Sequence, residues 1–362
     1  MTTVESPVRM LPFYCPFPAA VHPRVAEAEQ RAVEWIDRIG LCEDDRQRRR
    51  TVATNSAELF GRFAPHADDD GLQVAVRWAY WGFLFDDMRC DAGEYSTSPY
   101  DYLSTAATVQ RALETPWHPV SDDRFSLALQ DIARDMHAVA TPVQVQRFVD
   151  AHRAWLFAVA LQVANRERGH MPSLEEYTAM RLHSAGGAPT LGLLEVANRA
   201  EVPAAEMDSP PVRALREMAY MIDSWDNDIH SYVKETAEDH TEQNLVNVLV
   251  HHRGLRPDEA MREAVALRDR VMVRFLALRD RVTARPCSRA LRLLLDCLGQ
   301  SVRGNTDWAL SAPRYTAFAD AAPVRPDPVW SDHPSDTNPD PLPVPAIAWW
   351  WDDLEPSEGD TR

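Results

Sequence analysis

The chain has 362 residues and carries 55 acidic against 38 basic side chains, which gives a formal net charge of −17. An acidic balance of this size argues against a nucleic-acid partner and against binding to anionic membrane surfaces. No run approaches the roughly 18 apolar residues of a membrane span, and the five cysteines form no CxxC pair, which favours a reducing cytoplasm.

The first predicted element that carries chemistry is a buried helix that ends in an acidic cluster. Residues 78–85 are almost wholly apolar, which predicts a core helix, and they run directly into Asp86, Asp87 and Asp91. Three carboxylates in this position repel one another and resist burial unless positive charge compensates them. Two or three divalent cations would supply that charge. The alternative is that the helix simply emerges into solvent at Asp86.

Long helices with apolar residues at three- and four-residue intervals are predicted along much of the chain. The clearest of them span residues 143–166, 212–235, 257–282 and 288–310. Start signals agree, because Ser173 and Pro257 each stand shortly before two acidic residues. Few runs alternate strictly between polar and apolar residues, so strands are not expected and the predicted fold class is all-α.

A helix break is predicted between the first two of these helices. Gly186, Gly187 and Pro189 cannot continue a regular helix comfortably. Nearby backbone carbonyls are therefore released from the helical hydrogen bonds.

The second chemical pattern lies on the predicted helix 212–235. Asn227, Ser231 and Glu235 recur at every fourth position, so they fall on one stripe of the helix. An amide carbonyl, a hydroxyl and a carboxylate so aligned can bind one hard cation such as Mg²⁺, which prefers oxygen ligands. Lys234 lies at nearly the same angle as Asn227, and a cation beside an ammonium group suits a phosphate. The alternative for an isolated pattern of this kind is a solvated helix face.

Together the two motifs resemble the metal-binding motifs of the class I terpene synthases, specifically the bacterial terpene cyclases. Asp86-Asp87-x-x-x-Asp91 is similar to the aspartate-rich motif of that family with one extra spacer residue. Asn227-Asp228-x-x-Ser231-x-x-x-Glu235 matches its Asn/Ser/Glu motif at every ligand position. The resemblance extends over about residues 10–315 and includes further matches in the same order: Arg181, the break at 180–189, Trp308 and the Arg314-Tyr315 pair.

The resemblance implies a single-domain, class I terpenoid synthase-like bundle of about ten to twelve helices around a central apolar cavity. The two metal motifs would face each other across its mouth. The implied reaction is the ionisation of an isoprenoid diphosphate, followed by cyclisation of the carbocation and loss of a proton. We expect farnesyl diphosphate as the substrate, with geranylgeranyl diphosphate second and geranyl diphosphate third.

The resemblance also assigns roles at the mouth of the cavity. Three Mg²⁺ ions are implied, with Mn²⁺ as a substitute: Asp86 would bind two of them, helped by Asp91, and the Asn/Ser/Glu stripe would bind the third. Asp87 would pair with Arg314. The side chains implied to bind the diphosphate are Arg181, Lys234, Arg314 and Tyr315, and arginine suits this task because its planar fork binds two oxygens at once. The alternatives are a surface arginine at Arg181 and a helix C-terminus with a favourable cation at Arg314.

Inside the cavity, the resemblance implies a carbonyl that helps to trigger ionisation and aromatic faces that stabilise the cation. Residue-by-residue transfer makes Ser184 a linker and Ala185 the source of that carbonyl, with Gly186 as the alternative source. The aromatic residues expected to line the pocket are Phe83, Trp155, Trp308 and Tyr80, with Phe60 as a weaker candidate.

Outside the motifs, the resemblance and the composition divide the chain into three parts. Residues 1–20 are expected to pack near the active site, and residues 21–316 to form the catalytic domain. Residues 320–362 are rich in proline and aspartate, which predicts a disordered tail. A homodimer is left open.

Two other functional classes remain open at this point. A chain-elongating prenyltransferase shares the fold and the metals but resembles a protein with two DDxxD motifs, whereas the second motif here is Asn/Ser/Glu. A non-catalytic helical interaction protein is the more remote alternative.

Overall fold

The computed structural model describes residues 11–91, 93–237, 243–313 and 330–354, and of residues 233–237 it describes only the backbone. Helices form nearly all the regular structure in these ranges, so the all-α prediction is confirmed. The longer helices are α1 (Val25–Ile39), α2 (Asp45–Val52), α3 (Ser56–Phe63), α4 (Asp69–Phe85), α5 (Pro99–Glu114), α6 (Arg124–Val139), α7 (Pro142–Glu167), α8 (Leu174–Ser184), α9 (Gly187–Ala197), α11 (Pro210–Ala237), α12 (Leu245–Arg253), α13 (Pro257–Thr283) and α14 (Arg289–Ser311). The short ones are α10 (Ala204–Met207), α15 (Pro345–Ala348) and two 3₁₀ turns, Glu94–Thr97 and Trp349–Trp351.

Local capping explains several helix starts. Ser173 caps α8 and forms a reciprocal capping box with Glu176, as the sequence pattern predicts. Pro257 occupies the first turn of α13, where its missing N–H costs nothing. Asp68 caps α4 by accepting two backbone N–H bonds.

Helix α4 forms the centre of the bundle. It packs against α1, α3, α6 and α9, and its approach to α9 is so close that a Cβ at Gly71 would lie 2.5 Å from the Val196 carbonyl oxygen. Helix α11 packs in turn against α9, α13 and α14. The arrangement leaves a hollow between α3, α4, α7 and the α8–α9 junction.

Two short strands depart from the all-helical prediction. β1 (Phe13–Tyr14) pairs in parallel with β2 (Trp330–Ser331), with Phe13 opposite Trp330. This pairing joins the N-terminal segment to the C-terminal one. Phe13 is fully buried and packs edge-on against His230 of α11, with 5.4 Å between the ring centroids.

The prediction of a disordered tail is wrong for residues 330–354. Trp350 is fully buried and its Nε1 donates to Glu217 Oε2 of α11 at 3.0 Å. Arg274 of α13 donates from Nε to the Trp350 carbonyl at 2.7 Å. Four apolar side chains are buried against the bundle: Leu342, Val344, Ile347 and Trp350. Their burial stabilises an ordered conformation of this segment although its sequence shows no helical periodicity.

Among the described helices, none combines the length and the apolar character that crossing a bilayer requires.

Candidate active site

The hollow beside α4 has a volume of about 430 Å³ and is partly open to solvent. Its wall contains the predicted residues Phe83, Asp86, Trp155, Ala185 and Gly186 together with Phe60. The remaining lining residues, which the sequence did not single out, are Leu59, Trp78, Ala79, Gly82 and Thr190. One carboxylate therefore stands at the edge of a surface that is otherwise mainly apolar and aromatic.

The aspartate-rich motif begins where α4 changes its helical geometry. Residues Asp86–Cys90 form a π-helical turn, closed by a hydrogen bond of 2.9 Å from the Asp91 N–H to the Asp86 carbonyl. Such turns are frequent at functional sites. Cys90 is fully buried within this turn, and burial together with the negative charge of Asp86 raises the pKa of its thiol. A neutral thiol of this kind does not compete with carboxylates for a hard cation.

A cation of the protein stands near Asp91, the last carboxylate of the motif. Asp91 Oδ1 lies 3.8 Å from Arg166 Nη2 and accepts from Gln162 Nε2 at 3.4 Å. Arg166 is itself held in place by the carbonyls of Cys90, at 2.7 Å, and Ser96, at 3.1 Å. The Asp91 side chain is about half exposed.

The second motif lies on α11. Asn227 Oδ1 accepts a hydrogen bond from Arg181 Nη2 at 3.3 Å. Ser231 is buried, and its hydroxyl is 3.5 Å from the Asp228 carbonyl. The backbone of Lys234 and Glu235 continues the same helix, but their side chains lie outside the described part of the chain. Arg314 and Tyr315, and with them the expected Asp87–Arg314 pair, also fall outside the described residues.

Asp228 connects the second motif to the rest of the fold, a role that the sequence reading missed. Its Oδ1 is 2.5 Å from Arg181 Nη2, and its Oδ2 accepts from the Tyr177 hydroxyl and, at 2.9 Å, from the Leu245 N–H. Burial raises the pKa of this carboxyl, whereas Arg181 and Tyr177 act in the opposite direction. The sequence does contain an indication that Asp228 is buried, because it lies on the same face of α11 as the apolar residues Trp225 and Tyr232.

The break between α8 and α9 occurs where it is predicted. Gly186 has φ +74°, a left-handed conformation that glycine adopts without strain. The Ser184 carbonyl accepts from Trp155 Nε1 at 3.1 Å, and the Gly186 carbonyl accepts from both the N–H and the hydroxyl of Thr190. The Ala185 carbonyl would need a helical donor at position 189, but Pro189 has no N–H. The Ala185 carbonyl therefore lacks the helical donor that a residue other than proline at position 189 would supply.

Two predicted pocket aromatics lie elsewhere than expected. Trp308 is buried behind the wall: it stacks on Phe83 with 5.4 Å between ring centroids and donates from Nε1 to the Thr54 carbonyl at 2.8 Å. The expectation for Tyr80 is wrong, because its hydroxyl donates to Glu29 of α1 on the opposite side of α4. Trp78, which does line the hollow, could have been identified from its spacing, since it lies eight residues before Asp86 on the same helix face.

The donors at this site fit a hard cation. Within the described residues, no three His, Cys, Asp or Glu side chains lie close enough to form a metal site by themselves. A metal at the aspartate-rich motif would instead be held by the Asp86 carboxylate, and a metal at the second motif by the amide oxygen of Asn227 and the hydroxyl of Ser231. All three are oxygen donors, the type that Mg²⁺ prefers.

Comparisons with known proteins agree with this arrangement. Residues 77–274 match the family model described as "Terpene synthase family 2, C-terminal metal binding". The chain is similar to spiroviolene synthase of Streptomyces violens, with 45% identity over 94% of this chain and 96% of that relative. It is also similar to the (+)-T-muurolol synthase of Streptomyces clavuligerus, named as cyclizing (2E,6E)-farnesyl diphosphate, with 31% identity over 96% of this chain and 83% of that relative. The crystal structure of the SVS_A2 protein, from ancestral sequence reconstruction, superimposes with a TM-score of 0.87 at 50% identity and covers 96% of this chain and 100% of that one.

Proposed function

The chain belongs to the bacterial class I terpene synthases, and from this premise we propose that it uses Mg²⁺ to ionise an acyclic isoprenoid diphosphate and then cyclises the carbocation to a terpene. It is a terpene cyclase, a lyase that acts on an isoprenyl diphosphate. The observation that supports the proposed site best is the position of Asp86 at the edge of an aromatic hollow. Bound Mg²⁺ would neutralise the charge that develops on the departing diphosphate.

The side chains at the mouth bind and orient the diphosphate. Arg181 donates a hydrogen bond to Asn227 of α11. Its planar guanidinium can also donate two hydrogen bonds to diphosphate oxygens. The ion pair with Asp228 fixes the position of this guanidinium. Lys234, Arg314 and Tyr315 complete the set of donors in this proposal.

The wall of the hollow acts on the hydrocarbon part of the substrate. The Ala185 carbonyl, which lacks a helical donor because of Pro189, is our candidate for the dipole that assists ionisation. Phe83 and Trp155 present aromatic faces that stabilise positive charge and exclude water.

Two substrate lengths are candidates. Farnesyl diphosphate is the expectation from the sequence, and the printed name of the T-muurolol relative supports it. Geranylgeranyl diphosphate is favoured by Ala79 and Gly82, two small residues of the wall where larger side chains would take up space in the hollow. We propose the longer diphosphate as the preferred substrate and the shorter one as the runner-up.

One incubation tests both the activity and the substrate length. The protein with Mg²⁺ is supplied in parallel with geranyl, farnesyl and geranylgeranyl diphosphate, and the organic extract is analysed by gas chromatography and mass spectrometry. A cyclic product, formed most efficiently from geranylgeranyl diphosphate, supports the proposal. Elongated diphosphates would indicate a prenyltransferase, and no turnover of any of the three would indicate a non-catalytic protein.

A further inference from the structure

Thr190 of α9 lines the hollow, and the mechanism above assigns it no role. The residue is partly exposed. Among the described residues that form the wall, it is the one that carries a hydroxyl group. This hydroxyl donates to the Gly186 carbonyl at 2.7 Å. Thr190 therefore connects the wall of the hollow to the break between α8 and α9.

The Gly186 carbonyl accepts two hydrogen bonds from this one residue. The backbone N–H of Thr190 donates to it at 3.1 Å, in addition to the hydroxyl. A carbonyl oxygen has two lone pairs, so Thr190 can occupy both of them. Gly186 has φ +74°, and a glycine has no Cβ that limits the rotation of the neighbouring peptide groups. The two bonds from Thr190 therefore supply a restraint that the glycine backbone lacks.

The Ala185 carbonyl belongs to the peptide group on the other side of Gly186. The N–H of this peptide group donates to the His183 carbonyl at 3.0 Å. Every peptide bond between described residues is trans, so the Ala185 carbonyl points away from His183. Trp155 Nε1 fixes the preceding carbonyl, that of Ser184, at 3.1 Å. The Ala185 carbonyl thus lies between two carbonyls that side chains hold in place, and Ala185 itself lines the hollow.

We propose that Thr190 is a positioning residue for the ionisation step, whose hydroxyl fixes the Gly186 peptide and thereby the direction of the Ala185 carbonyl. The proposal rests on the terpene cyclase function and on the role of that carbonyl given above. In a regular helix the N–H at position 189 would orient this carbonyl, but Pro189 has none. The bonds from Thr190, the next residue, replace that restraint without occupying the Ala185 oxygen. A dipole stabilises developing charge most when its direction is fixed before the reaction.

A threonine hydroxyl that bonds to the carbonyl four residues earlier also occurs in helices without any catalytic role. Thr178 of α8 forms such a bond, to the Leu174 carbonyl at 2.7 Å. It is fully buried and does not belong to the wall of the hollow. Thr178→Val is therefore the matched control, because it removes an equivalent bond from the neighbouring helix.

The experiment compares Thr190→Val, which removes the hydroxyl at nearly the same shape, with Thr190→Ser, which keeps it. The rate of diphosphate release in a single turnover measures ionisation separately from product release. We expect this rate to fall about fivefold in Thr190→Val and to stay within about twofold of the wild type in Thr190→Ser and Thr178→Val. Calorimetric titration with inorganic diphosphate and Mg²⁺ should give the wild-type affinity for all three variants, because the Ala185 carbonyl acts on ionisation and not on binding.

Combination with Pro189→Ala separates a positioning role from a merely structural one. Position 189 then has an N–H that donates to the Ala185 carbonyl, so the Thr190 hydroxyl is no longer needed to orient it. We expect the double variant to release diphosphate within about twofold of the rate of Pro189→Ala alone, whereas independent effects would multiply.

A wild-type rate in Thr190→Val would overturn the proposal. A comparable loss in Thr190→Ser or in Thr178→Val would also overturn it, and so would multiplied losses in the double variant. If Thr190→Val does not fold, Thr190→Ala is compared with Thr190→Ser, since these two variants differ only in the hydroxyl group. Absence of turnover in the wild-type protein would instead overturn the proposed function.

Discussion

Arg181 and Asp228 form an ion pair with 2.5 Å between Nη2 and Oδ1, in which the Asp228 side chain is buried and the Arg181 side chain is 13% exposed. The pair joins α8, which leads to the helix break, to α11, which carries the second metal motif. The same guanidinium also reaches Asn227, at 3.3 Å. The fold therefore positions a proposed diphosphate donor and a proposed metal ligand through one contact.

Replacing Arg181 by leucine should lower the free energy of unfolding by about 3–5 kcal/mol, because it leaves the Asp228 carboxylate buried without its cation. Urea denaturation followed by circular dichroism measures this change. Arg262→Leu is the control: Arg262 is an exposed helical partner of Asp258, and its loss should cost less than about 1 kcal/mol. Equal effects of the two substitutions would show that the buried pair does not stabilise the fold.

Pro189→Ala should reduce the rate of ionisation. The substitution supplies an N–H at the position that can donate to the Ala185 carbonyl, so that this carbonyl is no longer available to the substrate. We expect kcat to fall by roughly tenfold, equivalent to about 1.4 kcal/mol, with KM nearly unchanged. Steady-state diphosphate release is the measurement.

The matched control for this substitution is Pro142→Ala at the first turn of α7, where an added N–H has no intrahelical acceptor. It should leave kcat unchanged. If the Pro189→Ala enzyme has the wild-type kcat, the Ala185 carbonyl does not assist ionisation.

Phe83→Ala should change the product mixture more than it changes diphosphate release. Phe83 lines the hollow and stacks on Trp308, so its removal takes away an aromatic face from the cation and opens space in the wall. Gas chromatography of the products measures the change. Tyr80→Phe is the comparison on the same helix, since Tyr80 faces Glu29 and not the hollow, and its products should match the wild type. The same product mixture from Phe83→Ala as from the wild type would contradict the assignment.

Acid should destabilise the fold below about pH 6.5. Burial lowers the pKa of His152 to about 3 and that of His230 to about 4, whereas the unfolded chain binds these protons near pH 6.5. The unfolded state therefore takes up more protons as the pH falls, and each buried histidine should cost about 2 kcal/mol at pH 5. Denaturation at pH 7 and pH 5 checks this. In His152→Gln the loss of stability over that interval should be smaller by about the same 2 kcal/mol, and an unchanged loss would refute the prediction.

Features that depend on local chemistry could be predicted from the sequence. The long helices follow from their apolar periodicity, and the capping box at Ser173 and the break at Gly186 follow from residue type. The acidic motif was also identifiable, because carboxylates directly after an apolar helix are unusual. The π-helical turn at Asp86–Cys90 was not, since no local residue pattern distinguishes it from a regular helix end.

Features that depend on long-range packing could not be predicted. Whether an aromatic residue of α4 faces α1 or the hollow is decided by neighbouring helices, so residue type did not separate Tyr80 from Trp78, and only the spacing of Trp78 from Asp86 indicated the hollow. The packed tail around Trp350 has a disorder-like composition, and its order comes from contacts with α11 and α13. The residues that contact the Asp228 carboxyl lie 17 to 51 residues away in the sequence. No local sequence pattern could therefore predict its role.

The central claim is that the aspartate-rich motif and the Asn/Ser/Glu motif act on one diphosphate through shared Mg²⁺. Isothermal titration calorimetry with inorganic diphosphate in the presence of Mg²⁺ tests it most directly, on the wild type, Asp86→Ala and Asn227→Leu. The account predicts that each substitution weakens binding by at least about tenfold, or about 1.4 kcal/mol, while far-UV circular dichroism keeps its helical signal. Wild-type affinity in either variant would contradict it.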